Sequence, residues 1–154
     1  MFQKTLFVAL LPISILLSGC NKEDKVAKQA EVDRAIIERY IADNGLNATE
    51  VSDGVFVEIT NETNGGFANS NSSVTCAYKG YLTDGKVFDE STTGITFGLN
   101  QVIRGWQIGI PEIPEGGSGI LLIPSGKAYG TESVGSIPAN SVLVFEVDLI
   151  EVLN

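Results

Sequence analysis

The sequence predicts an α+β fold, mostly antiparallel β with a short central helix and an additional helix on its N-terminal side. Three observations carry this. Short segments alternate apolar and polar residues between turn-rich stretches, the last being "SVLVFEVDLIEVL" at 141–153. Ile36, Ile37, Tyr40 and Ile41 recur at helical rather than strand spacing. The segment "VIRGWQIGI" at 102–110 holds the only tryptophan, and its two glycines limit it to a helix of about two turns.

Taken in chain order, residues 1–19 read as a signal peptide. Lys4 is a basic start, an apolar run covers Leu6 to Leu17, and the stretch ends in "LSGC". The run is too short for a confident membrane-spanning helix. Its last four residues resemble a bacterial lipobox, which makes Cys20 the lipidation site and the first residue of the mature chain. Asn21 follows, rather than the Asp that retains enteric lipoproteins at the inner membrane. The expected location is therefore the bacterial cell envelope, anchored in the outer membrane and facing the periplasm. Removing residues 1–19 removes Lys4 and makes the formal charge of −9 more negative by one unit. An anionic membrane surface repels such a body, so acyl chains must hold it, at ~0.8 kcal/mol per buried methylene.

Residues 20–30 are charged and read as a lipidated tether, and 31–45 as the N-terminal helix, stopped by Asn44-Gly45. The apolar stripe spans fewer than two turns, which suits packing on the main domain better than helix pairing. The main domain is 46–154. "GVFVEIT" (54–60) is a strand and "NETNGGFANSNSS" (61–73) a polar loop. "VTCAYKGYL" (74–82) is a strand with Val74, Cys76 and Tyr78 on one face. "TDGK" (83–86) is a hairpin turn, because Asp-Gly tolerates positive φ. "KVFDES" returns, "ITFGL" (95–99) is a further short strand, and "SGILLIP" (118–124) another. "SGKAYGTESVGSIPAN" (125–140) is a long turn-rich loop before the final strand.

Composition excludes several chemistries. An acidic chain with a charge of −9 does not suit nucleic acid, whose phosphates need clustered Lys and Arg. The chain has no histidine, the commonest general base and metal ligand. Its two cysteines, Cys20 and Cys76, are too few for a cysteine-based metal cluster. Cys76, inward with Val74 and Tyr78, reads as an inert buried thiol. No metal is expected.

Four stretches in order, "YKGYLTDGKVFDEST", "VIRGW", "LLIPSGKAYG" and "IPANSVLVFEVDLIEV", together resemble the FKBP-type peptidyl-prolyl cis-trans isomerases. The match runs from about Val74 to Leu153, and no single motif would suffice alone. The resemblance implies a twisted antiparallel sheet wrapped around a short helix, with a hydrophobic pocket between them. It implies X-Pro bond rotation in proline-containing, unfolded or partly folded proteins, with no cofactor, and macrolide inhibitors as ligands of the same pocket.

Carried over residue by residue, the resemblance implies that Trp106 floors the pocket. It makes Tyr78, Phe88, Ile103, Tyr129 and Phe145 the catalytic walls, with Asp89 at the rim. Val102, Ile137, Ile95 and Phe97 are implied substrate contacts. The Ile103 N–H and the Tyr129 hydroxyl are the implied donors to substrate carbonyls. Ile95 stands where many family members carry an aromatic residue, and the loop "GTESVGS" (130–136) lacks the bulky rim residues often found there.

Amide resonance opposes rotation of an X-Pro bond with a barrier of ~18–20 kcal/mol. No covalent bond changes, so no nucleophile, base, metal or cofactor is needed. By residue type alone, Phe88, Phe145, Val102 and Ile103 suit an ordinary core better than a site. Two other functions also suit the sequence: a chaperone or adaptor that binds proline segments with little turnover, and a β-rich structural lipoprotein.

Overall fold

The computed structural model describes residues 22–153. The leader at 1–19 and the lipidation site Cys20 lie outside the described residues. The chain forms α1 (Lys22–Asn44), β1 (Thr49–Ser52), β2 (Val55–Asn61), β3 (Ser73–Leu82), β4 (Val87–Gly98), α2 (Arg104–Gly109), β5 (Ser118–Ile123) and β6 (Leu143–Leu153). All strands join one antiparallel sheet in the order β1-β2-β5-β6-β3-β4.

Alternation assigns each face its cover. In register across the sheet, Val57, Leu121, Phe145 and Gly80 share one face, and Phe56, Leu122, Val144 and Tyr81 share the other. The first face packs on α2 and carries the main core. On the second, α1 buries Ile37 against Phe56, Leu122, Val142 and Val144. Ile37, Tyr40 and Ile41 of the apolar stripe thus pack on the domain, while Ile36, expected in the same stripe, is exposed.

Three elements differ from the sequence reading. First, α1 begins at Lys22, so residues 22–30, expected as a tether, are helical. Their Lys, Glu, Gln and Ala residues are good helix formers, and Glu23 and Asp24 in the first turn suit the helix dipole. Second, β1 is an additional edge strand. Its hairpin with β2 turns at Asp53 (φ 54°) and Gly54 (φ 79°), the left-handed conformations of an Asp-Gly turn.

Third, "KVFDES" and "ITFGL" are one strand, β4, interrupted but not ended by bulges. Gly80 opposes Asp89 while Tyr81 opposes Val87, so Phe88 is an extra residue with no cross-strand partner. Cys76 opposes Ile95 while Tyr78 opposes Ser91, and Gly94 at φ 85° lies in the irregular stretch between them.

The short helix answers why the tryptophan is flanked by glycines. Gly105 and Gly109 lie one turn apart and both face β5. A Cβ on Gly105 would overlap the Ile123 side chain, and one on Gly109 would lie 2.7 Å from Leu121 Cδ2. Ile123 and Leu121 are two residues apart and so share a face of the strand. The glycines therefore let α2 sit directly on β5, with Trp106 beside the contact and only 5% exposed.

Candidate active site

An open cleft of about 620 Å³ lies over Trp106, between β3, β4, the entry to α2 and the loop after β5. Tyr78, Phe88, Asp89, Phe97, Val102, Ile103, Trp106, Tyr129, Ile137 and Phe145 all line it. A second depression, of about 430 Å³, lies on the sheet and is walled largely by short or charged side chains such as Ser118, Lys79, Glu146 and Asp148. Tyr78 is its one aromatic lining residue, and the cleft over Trp106, with five aromatic side chains besides Tyr78, is the better candidate.

The floor is a box of rings. Trp106 meets Tyr78 and Phe145 edge to face, each with centroids 5.2 Å apart, and Phe97 at a tilt at 5.2 Å. Phe88 meets Phe145 edge to face at 5.5 Å. These distances and angles suit the quadrupoles of the rings, so the box is held rigid by contacts beyond area burial. Gly80 makes room for it: a Cβ there would lie 2.7 Å from both Phe145 Cε1 and Phe88 Cε2.

The bulge in β4 explains how two adjacent residues reach one cleft. Strict alternation would send Phe88 and Asp89 to opposite faces. The extra residue at Phe88 breaks the alternation, and both line the site. Asp89 Oδ2 accepts a hydrogen bond from the Tyr78 hydroxyl at 2.7 Å. Burial, and then this bond, push the Tyr78 phenol up to about 12. The hydroxyl thus keeps its proton and its orientation. Behind it, burial pushes the Cys76 thiol up to about 12, the state of an unreactive core thiol.

The entry to α2 is similarly fixed. The Ile103 carbonyl accepts from the N–H groups of Trp106 (3.0 Å) and Gln107 (3.3 Å). Gln107 also donates through Nε2 to the Val102 carbonyl at 2.8 Å. Among the described residues, the Ile103 N–H makes no backbone hydrogen bond. Tyr129 reaches the cleft from the opposite side and is 37% exposed, while Ile137 is buried beneath the same loop.

One expected contact is absent. Ile95 does not line the cleft: opposite Cys76 on the edge strand β4, it is 48% exposed. Phe97, two residues on and opposite Val74, reaches Trp106 instead. Sequence reading placed the loop 130–136 at the rim without singling out Val134, Gly135 and Ser136, and missed Gln101; all four line the cleft. Val134 and Ile137 bridge each other with two backbone hydrogen bonds, 3.0 and 2.9 Å, and Gly135 takes φ 56° between them. The Gly-Ser pair was the available signal for that tight turn.

These features define a class: an antiparallel sheet closed over a short helix, with a rigid aromatic cleft whose rim offers backbone and phenolic donors. Residues 65–150 match the family of FKBP-type peptidyl-prolyl cis-trans isomerases, and the chain belongs to that family. It is 38% identical over 135 residues to the FKBP-type peptidyl-prolyl cis-trans isomerase FkpA of Aeromonas hydrophila, covering 83% of this chain and 50% of that protein. The chain spans about half the length of the curated relatives it matches first. Among solved structures, a peptidyl-prolyl cis-trans isomerase of Pseudomonas syringae superposes with a TM-score of 0.74 at 34% identity, over 84% of this chain and 96% of that one. FkpA of Escherichia coli gives a TM-score of 0.71 at 34% identity, over 85% of this chain and 64% of that one.

Proposed function

We propose that this protein is a peptidyl-prolyl cis-trans isomerase. It rotates X-Pro bonds in unfolded or partly folded proteins of the bacterial cell envelope, where a lipid on Cys20 holds it. The observation that carries this reading is the ring box around Trp106, a pre-shaped and mainly apolar floor. The proline ring rests on Trp106 between Phe88, Phe145 and Tyr78. The Ile103 N–H donates to one carbonyl of the flanking peptide and the Tyr129 hydroxyl to another, which fixes the chain on either side of the rotating bond.

Catalysis follows from what resonance does. The planar amide is polar, with charge on its oxygen. At the twisted transition state the conjugation is broken and the carbonyl is less polar. A water-poor apolar cleft therefore disfavours the planar ground state relative to the twisted one. Asp89 acts through Tyr78: by accepting a hydrogen bond from its hydroxyl it holds the ring as a wall. The same floor is an apolar seat for macrolide inhibitors.

Refolding of a client with a proline-limited slow phase tests this reading, since uncatalysed X-Pro isomerisation takes tens to hundreds of seconds. Substoichiometric protein should shorten that phase, and the Trp106→Leu variant should not. An unchanged slow phase would overturn the isomerase assignment in favour of a proline-segment-binding module. For the anchor, Cys20→Ser should release the protein from membranes. Continued pelleting with membranes after a high-salt wash would count against the lipid.

A further inference from the structure

We propose that Asp33, on the N-terminal helix α1 and outside the segment that matches the family, is a positioning residue for the Tyr129 wall of the cleft. Asp33 is 1% exposed, although its sequence context, "EVDRA", reads as the charged face of a surface helix. Its Oδ2 accepts twice from Ser125, from the backbone N–H at 2.8 Å and from the hydroxyl at 2.6 Å. Gln29 Nε2, one turn earlier on α1, donates to Oδ1 at 2.8 Å and orients the carboxyl.

Ser125 opens the one-turn helix Ser125–Lys127 that follows β5 and leads to Tyr129. Its carbonyl accepts from Ala128 N–H at 2.9 Å and from Gly130 N–H at 2.8 Å, the residues on either side of Tyr129. Every polar group of Ser125 is thus used. Two are held by α1, and the third holds the backbone around the Tyr129 ring. A buried carboxyl left with unmatched partners is costly, so α1 and this loop keep one mutual arrangement. Lys127 Nζ, 2.9 Å from Asp53 Oδ2, ties the same turn to the β1–β2 hairpin. The helix that lies across the sheet from α2 thereby sets one wall of the cleft.

The activity arm of the test rests on the isomerase reading; the exchange arm does not. Amide hydrogen exchange is measured in the full chain for wild type, Asp33→Ala, Asp33→Asn and Leu149→Ala. Leu149 is a buried core residue on β6, six positions beyond Leu143, which pairs with Ile123. Asp33→Ala should speed exchange at Ala128 and Gly130 by about tenfold, the scale of one lost hydrogen bond. Leu149→Ala should instead speed exchange in the sheet and leave those two amides near wild type. Asp33→Asn keeps an acceptor oxygen and should restore most of the protection.

In peptide isomerisation, Asp33→Ala should lower kcat/KM by about three- to tenfold. It should add little in a Tyr129→Phe background, because both changes act through one ring. If Asp33→Ala fails to fold, Ser125→Ala, which keeps the backbone bond and drops the hydroxyl, gives the same comparison at smaller amplitude. Wild-type protection at Ala128 and Gly130 in Asp33→Ala, or loop and sheet amides accelerated together as by global destabilisation, would overturn the proposal. So would full additivity with Tyr129→Phe. A wild-type chain without turnover would refute the isomerase reading and leave the exchange data to decide the coupling.

Discussion

Gly80→Ala adds one methyl group to a strand and should damage the cleft more than the fold. The new Cβ would lie 2.7 Å from Phe145 Cε1, 2.7 Å from Phe88 Cε2 and 2.8 Å from Phe88 Cζ. Carbon atoms prefer ~3.5–4.0 Å, so both rings are overlapped by about 1 Å. Phe145 has little room to move, being 5% exposed in a central strand and held edge to face against Trp106. Phe88 stands on a bulge of the edge strand and is half-buried, so it is the ring that swings. Overpacking costs ~1–3 kcal/mol. Replacing glycine within a strand returns ~0.5–1 kcal/mol through lower unfolded-state entropy. The net stability loss should be near ~1 kcal/mol, while a wall displaced by about 1 Å should reduce kcat/KM about ten- to hundredfold. The assay pairs a denaturant midpoint with peptide isomerisation. A folded Gly80→Ala variant with wild-type turnover would refute the claim that Phe88 and Phe145 shape the reacting site.

Phe88→Ala should lower kcat/KM with a stability loss below the ~3–5 kcal/mol of a fully buried aromatic truncation, because the ring is only half-buried; the full core cost would make it core rather than wall. Tyr129→Phe should leave the denaturant midpoint unchanged and cost ~0.5–1.5 kcal/mol in kcat/KM; no effect would remove the hydroxyl from the mechanism. Tyr78 supplies a pH test. Its folded pKa is raised to about 12, so its contribution to stability is complete below the unfolded value of ~10 and is lost as pH rises from there through 12. Tyr78→Phe should flatten part of that fall in a pH series of denaturant midpoints, and an unchanged slope would contradict a phenol held protonated by burial and the Asp89 bond together.

How far the sequence revealed this molecule depended on where backbone regularity held. β3 keeps alternation from Val74 to Leu82, so its inward residues, including Tyr78, were readable by period two, whereas β5 and the start of β6 are apolar on both faces and Phe145 came forward through the motif resemblance. β4 does not keep it, and alternation alone cannot explain why Phe88 and Asp89 share a cleft or why Phe97 rather than Ile95 reaches Trp106. Only the motif resemblance brought Phe88 and Asp89 forward as well. β1 was signalled by Asp53-Gly54, the same turn chemistry used to read the β3–β4 hairpin, but its four residues carry little apolar pattern. Asp33 had no local signal at all. A charged residue on a helix is ordinarily solvated, and its burial depends on Ser125, a contact that only the fold creates. The rim residues Gln101, Val134 and Ser136 were individually hidden for the same reason, since loops are positioned by their anchors rather than by periodicity.

The most direct test of the central claim is magnetisation exchange between the cis and trans forms of a short X-Pro peptide. The full chain is added at a small fraction of the peptide concentration. Wild type should bring exchange to the sub-second scale, against tens to hundreds of seconds uncatalysed, and Trp106→Leu should lose most of that acceleration. Peptide resonances that shift on binding while exchange stays at the uncatalysed rate would contradict it, and would make the cleft a binding site without turnover.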